Sequence, residues 1–239
     1  MEKAYKFQEN LNIHLSPRYD SMRNAGLPIT SKKAIVFFDA NNWYHNLKKF
    51  FNPNEVDIVK ISELICKQKG YKLEEIRWYA SVPNIEDGEN MYYKHISFLS
   101  QLKKQGIKII TRKLQKFSNK ELLKNKKELI ESLELCNKCK QIVEASFLDL
   151  ADIKKKEKGI DVWIAIDLVR KSIIEEECHA CILISGDADF VPAMELVSNN
   201  GNEILSASVP FGYSNELRSK YPYFIIRKET LMKCLKRYN

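Results

Sequence analysis

The sequence predicts an α/β fold, a mainly parallel sheet flanked by helices. Two observations carry this. Short runs rich in β-branched and aromatic residues alternate with amphipathic stretches, which is the pattern of βαβ units with right-handed crossovers. The same unit also occurs twice: an apolar run, an acid, a small turn and a helix follow Ala34-Ile35-Val36-Phe37-Phe38 and again Cys181-Ile182-Leu183-Ile184. In a parallel sheet the carboxyl ends of the strands share one edge, and ligands bind there.

Residues 1–31 are weakly patterned, contain Pro17, Gly26 and Pro28, and read as an N-terminal extension to a domain spanning 32–239. Residues 34–38 form the first strand by β-branched and aromatic content. An amphipathic helix over 43–51 ends before Pro53. The spacing of Ile58, Ile61, Leu64 and Ile65 predicts a helix over 57–69, with Gly70 as its left-handed stop. A strand over 76–80, a helix over 91–105 closed by Gly106, and a strand over 107–110 follow. Residues 116–156 are polar, Lys-rich and carry two cysteines, and read as an insertion between core elements. After Gly159 a helix is expected over 160–174, with Val162, Ala165, Ile166, Val169 and Ile173 on one apolar face. The chain closes with a strand over 181–184, a helix over 190–199 stopped by Gly201, and a strand over 203–207. The tail, 210–239, holds a loop over 210–221, an edge strand over 223–227 and a helix over 229–237.

A chain of 239 residues, 44% hydrophobic and 10% aromatic, is long and apolar enough to bury a sizeable core, which excludes disordered and fibrous classes. No apolar run approaches the ~18 residues of a membrane span, and the first residues show no apolar signal core. A soluble, cytoplasmic protein is the expectation. The net charge of +8 is uneven: between residues 103 and 140, twelve Lys and Arg face four Glu. Such a surface suits a polyanion, although a solvated Lys-rich face has the same composition.

Asp39 follows the first strand directly, and Asp187 leaves the 181–184 strand after Ser185-Gly186, so both belong on the carboxyl edge. Asp161 lies in the first turn of a helix, behind Lys158-Gly159. Asp189 stands two residues past Asp187. Capping would also account for Asp39 and Asp189, and the helix dipole for Asp161. Asn42 adds an amide beside Asp39. Asp167, about 240° further round its helix than Asp161, is left out. Carboxylates gathered this way need a positive charge among them. One or two divalent cations with oxygen ligands fit, and would bind a phosphodiester oxygen and acidify a water.

Phe37-Phe38-Asp39-Ala40-Asn41-Asn42, Lys158-Gly159-Ile160-Asp161 and Ser185-Gly186-Asp187-Ala188-Asp189-Phe190 resemble, in order and spacing, the three signature blocks of the NYN domain. This is the branch of the PIN-like nuclease superfamily that includes the LabA/DUF88 proteins. Ala40 departs from a common glycine, and Pro222-Tyr223 stand where many members have Ala and Asp. The resemblance implies a Rossmann-like PIN fold, Mg²⁺ or Mn²⁺ in an acidic pocket, and hydrolysis of RNA by an endoribonuclease. By position it makes Asp39, Asp161 and Asp187 metal-site acids, Asp189 a fourth, and Asn42 a polar partner for water or phosphate. Lys158 and Ser185 are expected on the substrate side.

A non-catalytic RNA-binding module of the same fold is the alternative, and a homodimer stays open. A haloacid-dehalogenase site would need D-x-D after the first strand, where the chain has Asp39-Ala40-Asn41. A response-regulator receiver would need an acidic pair and a late lysine, which are absent. Two C-x-x-C pairs, Cys136/Cys139 and Cys178/Cys181, offer four thiolates for a structural zinc site. Cys178 and Cys181 also suit a turn and a strand start.

Overall fold

The computed structural model describes residues 32–113, 115–117, 120–148, 154–156 and 159–236. The expected N-terminal extension, 1–31, and Lys158 lie outside them. In chain order the elements are β1 (Lys33–Asp39), α1 (Ala40–Leu47), α2 (Ile58–Lys69), β2 (Lys72–Val82), α3 (Glu89–Lys104), β3 (Lys108–Lys113), β4 (Gln115–Phe117), α4 (Lys120–Ser132), α5 (Asn137–Leu148), β5 (Lys154–Lys156), α6 (Ile160–Val169), β6 (Ala180–Ile184), α7 (Val191–Asn199), β7 (Glu203–Ser208), α8 (Asn215–Lys220), β8 (Tyr223–Ile225) and α9 (Lys228–Lys233).

Ala34 through Phe38 are fully buried, as a central strand covered on both faces requires. Alternation splits them: Ala34, Val36 and Phe38 enter one core, Ile35 and Phe37 the other. Six parallel strands form the sheet in the order β3-β2-β1-β6-β7-β8. The chain winds outward from β1 to β3, then returns to the other side of β1 through β6. That reversal is the topological switch point, where open α/β sheets bind ligands outside the strand ends. Phe38 pairs with Ile184, so Asp39 and Ser185 emerge side by side.

Helix ends follow local chemistry. The Asp57 carboxylate accepts the N–H groups of Val59 and Lys60, and Gly70 closes α2 at φ 75°. The insertion holds more structure than its composition suggests. β4 and β5 pair antiparallel, and α4 and α5 form a helical hairpin between them.

The apolar face expected on the 160–174 helix is corrected. Ile160, Ile164 and Leu168 are buried, whereas Val162 is 59% and Ile166 is 51% exposed. The helix is apolar on nearly every side, so spacing alone does not fix its inward face. It also changes to a π turn over Arg170–Ile174. Asp167 is buried against the sheet: its carboxylate accepts from Arg77 Nη2 and from Tyr79 Oη, both at 2.7 Å. Arg77 also donates to Tyr79 Oη at 2.8 Å and to Glu75 at 2.6 Å. This buried, hydrogen-bonded ion pair ties the C-terminal half of α6 to β2.

Among the described residues no helix is long and apolar enough to cross a membrane.

Candidate functional site

The ends of β1 and β6 are laced together by side chains. Asp39, buried, accepts the Asn42 N–H at 3.1 Å and the Ser185 hydroxyl at 2.9 Å. Ser185 Oγ in turn accepts the Asp187 N–H at 3.2 Å. Asn42 Oδ1 accepts from the Gly186 N–H at 3.2 Å and from Asn46 Nδ2 at 3.1 Å. Asn42 and Ser185 therefore fasten the two loops. Ser185 is buried, with its hydroxyl donating to one partner and accepting from the other.

Capping falls differently from expectation. Asp187, not Asp189, is the cap: its Oδ1 accepts the Asp189 N–H at 3.0 Å at the start of a short 3₁₀ turn, Ala188–Phe190. A carboxylate after a glycine turn can close on the second N–H ahead, and here that geometry reaches 189 before α7 begins. Asp189 itself is exposed. Asp39 caps α1, which starts at once at Ala40.

Asp161 stands in the first turn of α6. Burial first, then the carboxylates of Asp187 and Asp189, push its carboxyl above the ordinary range. Acids from α6 and from the β6 loop thus sense one another, beside the strand end that carries Asp39. Among the described residues, no three His, Cys, Asp or Glu side chains form a group able to hold an ion as they stand. The donor set still suits Mg²⁺ or Mn²⁺. All the donors are carboxylate oxygens, the mutual repulsion at Asp161 calls for a cation, and Mg²⁺ typically keeps several waters while binding one or two carboxylates.

The rim has features that the motif blocks do not contain. Gly159 sits at φ 81°, and a Cβ there would lie 2.0 Å from Arg112 Nη1. The glycine lets the guanidinium cross the start of α6, next to Asp161. On the opposite side, a Cβ on Gly186 would lie 1.4 Å from the Gly212 carbonyl oxygen, and one on Gly212 would lie 2.6 Å from Asn46 Nδ2. Residues 209–214 are therefore pressed onto the back of the site. Ser208 Oγ donates to Gly212 O at 2.7 Å and Ser214 N to Gly186 O at 2.9 Å. This pinned loop presents Phe211, 69% exposed, with its ring edge-on to Phe50 at 6.0 Å. Tyr44 is exposed on α1, with Lys48 Nζ 5.4 Å from its ring centre. An aromatic flanked by Pro210 and Gly212 in a polar loop was the available signal for Phe211.

The cysteine pairs are not brought together as a four-thiolate site. Cys178 and Cys181 are buried at the start of β6, 3.6 Å apart at sulfur. Cys136 and Cys139 are exposed at the turn between α4 and α5. Burial inside the sheet layer keeps the first pair from a surface hairpin.

A family model described as the NYN domain matches residues 33–231, which include all three motif blocks. No curated protein and no solved structure gives a match. Membership implies a nuclease-class, RNA-related function. With its all-parallel six-stranded sheet and acids at the switch point, the chain belongs to the NYN domain family of the PIN-like nuclease superfamily.

Proposed function

We propose that the chain is a metal-dependent endoribonuclease that hydrolyses RNA phosphodiesters at the β1/β6 switch point. One observation carries this reading: Asp39 and Asp187 leave the ends of the neighbouring strands β1 and β6, joined through Ser185 Oγ, and burial and then the carboxylates of Asp187 and Asp189 push Asp161, from α6, above the ordinary range. Asp39, Asp161 and Asp187, with Asp189, would hold Mg²⁺ or Mn²⁺. Bound there, the ion supplies Lewis-acid polarisation of the phosphate and acidification of a water.

The chain's own residues supply the rest. The Asn42 N–H and the Ser185 hydroxyl orient the Asp39 carboxylate. Asp161 adds a carboxylate from α6 to those of the β6 loop. Arg112, with its guanidinium at the start of α6, is placed to neutralise backbone phosphates, and Lys158 is a second basic candidate by sequence alone. The exposed Lys124, Lys127 and Lys138 extend that positive surface along the insertion. Phe211 and Tyr44 offer ring faces to unstacked bases, which favours a single-stranded substrate.

The test is incubation of the protein with mixed RNAs, in Mn²⁺ against EDTA. Internal cleavage in Mn²⁺ that EDTA abolishes is the expected result. The lack of a ready-made ion cage among the described residues favours one second reading, a non-catalytic RNA-binding module. Salt-sensitive RNA binding with no cleavage in either condition would select it.

A further inference from the structure

Cys136 and Cys139 sit at the apex of the α4–α5 hairpin. α4 ends at Ser132 and α5 begins at Asn137. The Lys140 N–H bonds Cys136 O at 2.9 Å, so Cys136 directly precedes the first turn of α5 and Cys139 lies within it. C-x-x-C at a turn entering a helix is the spacing that zinc sites use for a pair of thiolate ligands. Both cysteines are exposed.

Two thiolates are half of a tetrahedral sulfur site. The other half is not supplied by the described residues of the same chain. Cys66, Cys178, Cys181 and Cys234 are buried, and among the described residues no third His, Cys, Asp or Glu stands with the apex pair. The apex has the character of a contact surface, because Leu129, Leu133 and Ile142 are 54%, 46% and 59% exposed on either side of it. Lys138 and Lys140 flank the sulfurs, and from two copies would offset the double negative charge of a zinc tetrathiolate.

We propose that Cys136 and Cys139 hold half of a zinc site that the same pair of a second copy completes, making the hairpin apex a zinc-dependent homodimer contact. The zinc lies on the twofold axis, as an isologous interface requires. Thiolates select zinc there, whereas carboxylates select Mg²⁺ or Mn²⁺ at the pocket, so the two sites do not compete. The proposal does not depend on the nuclease reading.

The full chain, purified under reducing conditions, is assayed for zinc and for mass by light scattering. The expected result is about one zinc per two chains, a dimer that chelator halves in mass and that added zinc restores. Cobalt(II) should give thiolate charge-transfer absorption saturating at the same ratio. Cys136→Ser and Cys139→Ser should each give a zinc-free monomer with the thermal stability of chelator-treated wild type, since both side chains are exposed. Asp187→Asn should leave zinc and dimer intact. A zinc-free protein, a dimer that persists in chelator, or one zinc per monomeric chain would each overturn the proposal.

Discussion

Asp161→Asn should make the protein more stable without metal and less stable with it. The substitution keeps the shape of the side chain and removes a charge that Asp187 and Asp189 oppose. A carboxyl raised in the fold binds its proton more tightly folded than unfolded. Its ionised form is therefore a penalty at neutral pH, relieved as pH falls through the raised value. The protein packed around Asp161 partly desolvates its carboxyl, but the side chain stays open to solvent at the surface, so water screens the penalty to on the order of 0.5 kcal/mol. For a domain of this size that is a rise in Tm of roughly 1–2 °C. The advantage should vanish at acid pH, where wild-type Asp161 is protonated. Divalent cation should invert the order. At about ten times its Kd the ion stabilises a competent site by ~1.4 kcal/mol, or roughly 3–6 °C, and the variant should gain less. The assay is thermal unfolding of both proteins across pH, with and without Mn²⁺. A variant less stable than wild type at neutral pH without metal, or an equal gain from Mn²⁺ in both, would refute the electrostatic account of the pocket.

Gly186→Ala should destabilise by about 2–3 kcal/mol, because the new methyl meets backbone that cannot turn aside. Gly201→Ala, strained at φ 85° but with open space around it, should lose only about 1 kcal/mol. Equal denaturant midpoints for the two variants would discount the close approach of the 209–214 loop. Phe211→Ala should leave stability within about 0.5 kcal/mol and weaken single-stranded RNA binding by about 1–3 kcal/mol. An unchanged Kd would remove Phe211 from the RNA path.

The central half of the fold was legible because its signals are local. Apolar strands stop at Asp39 and Ser185, and parallel topology alone puts those ends on one edge. The alternation of strands and helices also placed β2, α2, α3, β3, α7 and β7 to within a few residues at most boundaries, although β2 runs well beyond the expected core at both ends. What escaped depends on contacts distant in sequence. The inward face of α6 was misread because Val162 and Ile166 are as apolar as Ile160 and Ile164, and only the sheet chooses between them. Asp167 turns to the sheet, and the buried partners that hold it there, Arg77 and Tyr79, lie on β2, far away in the chain. The exchange of cap between Asp187 and Asp189 turns on a 3₁₀ turn that no residue preference distinguishes from an early helix start. The four-thiolate zinc site failed for a similar reason, since spacing cannot tell that one pair is interior and the other at a hairpin apex.

The most direct test of the central claim is the rate of single-stranded RNA cleavage in Mn²⁺ by Asp187→Asn against wild type. Asn is as good a cap as Asp, so the short turn over Ala188–Phe190 should persist and circular dichroism should match. The account predicts a loss of about 10²-fold or more, with RNA binding retained. Cleavage at the wild-type rate would contradict it and place the chemistry elsewhere on the chain.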